Sequence, residues 1–147
     1  MKTIKFAIFI NAPKEKVWNT MLEDATYREW TKPFNGNSHY RGDWNEGSKM
    51  FFVGTPDDSK EESGMVSRIA KNVPFTFISI QHIGLLENGV EKPWEGVGEA
   101  FENYTFTEKD SGTQVDVELT NIPDDYVAEM DKMWPKSLEA LKALAEK

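Results

Sequence analysis

The sequence contains no cysteine. A disulfide framework, a thiol nucleophile and a thiolate metal site are therefore excluded. Histidine is scarce, with only His39 and His82. Neither has a histidine or cysteine neighbour at ligand spacing, so no metal site is expected. Long apolar runs are also missing. The longest near the N-terminus, Phe6 to Ile10, is much shorter than the ~20 residues of a membrane helix and lacks the flanks of a signal peptide. The expectation is a cytoplasmic protein with no membrane partner. Basic residues are outnumbered, 17 Lys and Arg against 25 Asp and Glu, for a net charge of −8. Such a field repels a phosphate backbone or an anionic bilayer, so no nucleic-acid partner is expected either. Gly96 to Ala100 (GVGEA) precedes a strand pattern rather than a helix, which rules it out as a phosphate-binding loop. No serine sits in a nucleophile-elbow pattern, and no cofactor is expected.

What the chain does contain is apolar and aromatic material in periodic order. Of its 147 residues, 39% are hydrophobic and 12% aromatic. That suits a single domain, 1–147, with a full core. The clearest pattern is the last one, Pro123 to Lys147. Val127, Met130, Trp134, Leu138, Leu141 and Ala145 recur at spacings of three and four and define one helical face. Pro123 suits the first turn, and Asp124 and Asp125 complement the positive end of the helix dipole. Pro135 should bend this helix or divide it in two, because it cannot donate to the carbonyl of Asp131.

Most of what precedes the final helix reads as strand. In Thr3 to Asn11, Ile4, Phe6, Ile8 and Ile10 alternate onto one side. A helix then starts around Asn11-Ala12-Pro13 and buries Val17, Trp18, Met21 and Leu22. Thr26 to Thr31 reads as a second short helix with Tyr27 and Trp30 facing in. Strand-like runs follow at Ser38 to Asp43, Ser48 to Gly54, Ser63 to Asn72, Pro74 to Ile83, Glu99 to Thr107 and Thr113 to Asn121. Lys109 to Gly112 is a hairpin turn. Thr55 to Glu62 reads as a solvated loop. Leu85 to Gly98, rich in glycine, reads as an irregular lid over one mouth of a cavity. The order β-α-α-β6-α implies an α+β fold: a curved antiparallel sheet gripping one long helix.

At the residue level the opening INAPKEKVW resembles the start of the START-like (SRPBCC) superfamily, which has the helix-grip fold of the birch-pollen allergen. Further matching pieces are Tyr27 to Trp30 (YREW), Gly42-Asp43-Trp44 with Glu46-Gly47-Ser48, Ile80 to Gly84 (IQHIG), Trp94 with Glu102-Asn103-Tyr104, Gly112-Thr113 and Met133-Trp134-Pro135. Together they are most similar to the branch related to the C-terminal domain of the heat-shock ATPase activator. The resemblance covers essentially the whole chain. It implies an elongated apolar cavity between the sheet and the final helix, and no shared catalytic set.

Strand alternation places His82 on the face of Ile78 and Ile80, and Glu102 on the face of Ala100, Tyr104 and Phe106. An imidazole, a carboxylate and a phenol would then point into one apolar space. His82, Glu102 and Tyr104 are the expected polar end of a ligand site. Met50, Phe52, Ile80, Trp94, Met130, Trp134 and Leu138 are its expected apolar lining. His39 is read as a surface residue. The expected function is binding of a small hydrophobic or amphipathic molecule, without assigned catalytic residues. Two alternatives stand beside it: a cyclase or dehydratase using His82 and Glu102 as acid and base, and a chaperone-associated interaction module. The reading also leaves room for a homodimer.

Overall fold

The computed structural model describes residues 2–55, 61–93 and 99–147. Alternation in Lys2–Ile10 (β1) turns Ile4, Phe6, Ile8 and Ile10 inward and leaves Lys5, Ala7 and Phe9 outside. Two short helices follow, Lys14–Leu22 (α1) and Asp24–Trp30 (α2). Then come the strands His39–Gly42 (β2), Lys49–Gly54 (β3), Ser63–Val73 (β4), Phe77–Glu87 (β5), Val90–Pro93 (β6), Ala100–Lys109 (β7) and Gly112–Ile122 (β8). A 3-10 turn at Asp124–Tyr126 leads into the last helix, Val127–Ala145 (α3). The strands form one curved, open sheet in the order β1-β8-β7-β5-β4-β3-β2, with β6 paired to β5. All pairings are antiparallel. The inner face of the sheet carries Met50, Ile69, Ile78, Ile80, Tyr104, Phe106, Val115, Val117 and Leu119. These form one buried cluster with Trp134, Leu138, Leu141 and Ala145 of α3 and with residues of α1 and α2.

Three expectations are corrected or refined. The stretch read as an irregular lid is mostly a hairpin: β5 runs on to Glu87 and β6 pairs back onto it from Val90 to Pro93. Asn88 and Gly89 both have positive φ, 49° and 80°, as the favoured two-residue hairpin turns require. Among the described residues the sheet thus has eight strands rather than seven. Residues 94–98, the remainder of that stretch, lie outside the described residues, as do 56–60 of the acidic loop. Second, of the two outcomes expected at Pro135, a bend or a division, division is excluded, since the final helix is continuous from Val127 to Ala145. Third, α1 starts at Lys14, just after Asn11-Ala12-Pro13, with Pro13 as its N-cap and no side chain capping that end. In addition, β5 begins only at Phe77, because Pro74 to Thr76 form a turn with Phe75 at φ 64°.

The far end of α3 is fastened to the end of β1. Lys142 Nζ donates to the carbonyl of Phe9 (2.8 Å) and to Glu146 Oε2 (2.6 Å), and the amide of Asn11 donates to the same Glu146 oxygen at 2.8 Å. Lys142 first, then the Asn11 amide, hold the Glu146 carboxyl below its usual range. A lowered carboxyl contributes stability above its unfolded range and loses it as pH falls through the folded value. Urea melts of Glu146→Gln should therefore differ from those of the parent at neutral pH, and the difference should shrink in acid. A gap that is constant with pH would show that the fastening is not ionic.

Candidate functional site

Cross-strand register builds the site. Residues directly opposite one another share a face. Met50 lies opposite Ser67, and Ser67 opposite His82, which in turn faces Ala100. The neighbouring row runs from Ile69 through Ile80 and Glu102 to Leu119, and the next from Ile78 through Tyr104 to Val117. These rows are apolar except for Ser67, His82, Glu102 and the hydroxyl of Tyr104. Those four groups are joined. His82 Nε2 stands 3.2 Å from Glu102 Oε1, the Tyr104 hydroxyl donates to Glu102 Oε2, and Ser67 Oγ is 2.8 Å from His82 Nδ1. Ser67 and Tyr104 are buried, whereas the side chains of His82 and Glu102 keep 13% and 22% exposure, so the cluster is sheltered but reachable.

A bulge aims the histidine. Between Val66 and Ser67 the β4 strand advances one residue while β5 passes from Gly84 to His82, leaving Ile83 without an opposite residue. Bulges of this kind bend the strand and redirect adjacent side chains, and they are over-represented beside functional sites. Here the bulge follows His82 directly.

Aromatic rings enclose the same region. Tyr104 lies 6.1 Å from Trp134, Trp134 6.3 Å from Trp30, and Trp30 5.5 Å from Tyr27. Burial raises the hydroxyl pKa of Tyr104 well above normal, and the Glu102 carboxylate adds to the effect. The Tyr27 hydroxyl is also raised, by burial first and then by Glu102 and Tyr40. Both phenols are therefore protonated donors across the ordinary pH range.

The structure brings together His82, Glu102 and Tyr104. Ile80 lies directly opposite Glu102, and Met50 is linked to His82 through Ser67. Trp134 reaches the cluster through the Tyr104 ring. Phe52 packs on Tyr27 with centroids 6.2 Å apart. Met130 is half-buried against the main core, and Leu138 is fully inside it; both are on α3. Trp94 lies outside the described residues. His39 is only 16% exposed, and its Nε2 sits 2.7 Å from Glu62 on the β2 edge. Ser67 and Tyr27 belong to the site and were not singled out from sequence. The signal for Ser67 was its parity with Met65 and Ile69. For Tyr27 it was the inward side of α2.

Two clefts are lined by described residues elsewhere. One, of about 440 Å³, lies between Pro13–Glu15 and the β7–β8 turn. The other, of about 500 Å³, includes Lys5, Ala7, Asn103, Asp116 and Glu118. Neither is lined by the polar cluster. No group of acidic or histidine side chains able to hold a metal ion occurs among the described residues, and none of their helices is long and apolar enough to cross a membrane.

An antiparallel sheet curved around a long C-terminal helix, with two short helices after the first strand, defines the helix-grip class of START-like proteins. Within that class, the chain belongs to the family described as "Activator of Hsp90 ATPase homolog 1-like protein", which matches residues 11–146. No curated protein matches the chain. Solved structures share its fold. Protein CV1439 from Chromobacterium violaceum is 21% identical with a TM-score of 0.72, over 100% of this chain and 99% of that one. The Aha1 dimer from Colwellia psychrerythraea is 19% identical with a TM-score of 0.71, over 99% and 97%. CalU16 from Micromonospora echinospora is 17% identical with a TM-score of 0.69, over 97% and 75%.

Proposed function

We propose that the protein binds a small amphipathic molecule between the inner face of the sheet and α3. Its polar end would be held by His82, Glu102, Tyr104 and Ser67, and its apolar part would lie against Met130, Trp134 and Leu138. The observation that carries this reading is the joined polar cluster on an otherwise apolar face. Burying such groups costs several kcal/mol unless they are satisfied, and a cluster kept for register alone has no need of side chains left partly open. Small-molecule sites have this composition, apolar walls with a few converging polar groups. A second reading, acid–base chemistry in the same space, is favoured by one contact: Ser67 fixes the imidazole of His82 against Glu102. The Colwellia relative was solved as a dimer, and the same association is proposed as open to this chain.

Native mass spectrometry of freshly purified protein tests the binding reading. The expected result is a population carrying added mass that is lost on denaturation in organic solvent, or, after stripping, uptake of an apolar fluorescent probe. Protein that carries no added mass and takes up no probe would end the proposal.

A further inference from the structure

The hydrogen atoms of the polar cluster indicate what charge its ligand carries. Ser67, His82 and Tyr104 each place a donor in this chain of contacts. The Tyr104 hydroxyl donates to Glu102 Oε2, and the Nε2–H of His82 donates to Glu102 Oε1 over 3.2 Å. In the tautomer with hydrogen on Nε2 alone, Nδ1 is a lone pair, and Ser67 Oγ–H, 2.8 Å away, donates to it. These donors are thus directed inward, toward one another and toward the carboxylate. What the cluster turns to its surroundings is oxygen lone pairs around a negative charge. Among the described residues no lysine or arginine forms an ion pair with Glu102; its side-chain partners there are His82 and Tyr104.

The rings beside the cluster have the matching property. Tyr27, Trp30, Trp134 and Tyr104 form a connected series with centroid separations of 5.5, 6.3 and 6.1 Å. It ends at Tyr104, which is bonded to Glu102. Aromatic faces carry negative electrostatic potential and attract cations, tryptophan most strongly.

Building on the binding function proposed above, we propose that the ligand is an amphipathic amine, held as its ammonium by Glu102. An ammonium brings three donors to a site that offers acceptors. A neutral alcohol brings one donor and no charge. A carboxylate brings acceptors to acceptors and is repelled by Glu102. The raised hydroxyls of Tyr27 and Tyr104 fit this arrangement, since both remain neutral donors that leave Glu102 as the one anion facing the cation.

The test uses three probes of equal chain length at pH 7, octylamine, octanol and octanoate, titrated into the stripped protein by calorimetry. Octylamine should bind at least about tenfold more tightly than octanol, the worth of one hydrogen bond to a charged group, and octanoate should bind most weakly. In Glu102→Gln the advantage of amine over alcohol should disappear. Octanol matching octylamine, octanoate binding best, or an amine advantage that survives Glu102→Gln would overturn the inference while leaving the binding function intact. If none of the three binds, the binding function fails and this inference with it. The ranking on the unaltered protein stands even if the variant does not fold.

Discussion

Trp134→Ala is expected to lower the free energy of unfolding by ~3–5 kcal/mol in urea melts, the usual cost of removing a buried tryptophan. The side chain is 4% exposed, and it holds four parts of the fold together. Its ring stacks on Phe6 of β1 at 6.0 Å, meets Phe34 of the segment after α2 edge-on at 5.0 Å, and lies 6.3 Å from Trp30 of α2 and 6.1 Å from Tyr104 of β7. Because these partners come from separate elements, the structure cannot close over the missing ring by moving one of them. The cavity term should therefore add to the lost transfer free energy rather than relax away. A loss below ~1 kcal/mol would mean that the ring borders open space and contributes little to the core.

Glu102→Gln should both destabilise the protein and weaken ligand binding, each by ~1–3 kcal/mol. The carboxylate accepts from His82 on one oxygen and from Tyr104 on the other. Glutamine keeps a single acceptor, so its amide N–H either faces the Tyr104 hydroxyl or requires His82 to take the tautomer whose Nε2 accepts. A buried donor opposite a donor costs more than an absent bond. Removing the competing hydrogen should relieve that conflict, so Glu102→Gln combined with Tyr104→Phe should be less harmful than the sum of the single changes. Strict additivity in urea melts would show that the two side chains do not share the contact seen here.

Much of this arrangement was legible in advance, because two periodicities carried it. The stripe from Val127 to Ala145 gave the helix and its buried face. The period-two pattern put His82 and Glu102 on the inner face, since β5 and β7 are regular between Phe77 and His82, where they pair. What was missed depends on registers that alternation does not encode. Ser67 meets His82 only because β4 and β5 slip by one residue at Ile83. Tyr27 reaches the site through the packing of α2 on α3 and the β2–β3 hairpin, which no local pattern specifies. The β5–β6 hairpin was a different kind of miss. Asn88-Gly89 is a strong turn signal, but read as one of several glycines in a long irregular stretch it suggested mobility instead of a turn. Pro135 does not divide α3 because the packed face of the helix holds it together across a single missing hydrogen bond.

The fastening of α3 to β1 also bears on how the chain reaches this structure. Its two long-range side-chain bonds span 133 and 135 residues, and among the described residues the one strand that pairs with β1 is β8. The first strand therefore has no partner until the last third of the chain is in place. Bringing such distant segments together carries a loop-closure cost before any contact repays it, which places folding in the slow, millisecond-to-second range typical of non-local topologies. During that interval Phe6, Ile8 and Ile10 are uncovered along an unpaired strand, the form most prone to pair with another molecule. Refolding yield should accordingly fall as protein concentration rises, with the loss set by how long β1 waits for β8 and α3.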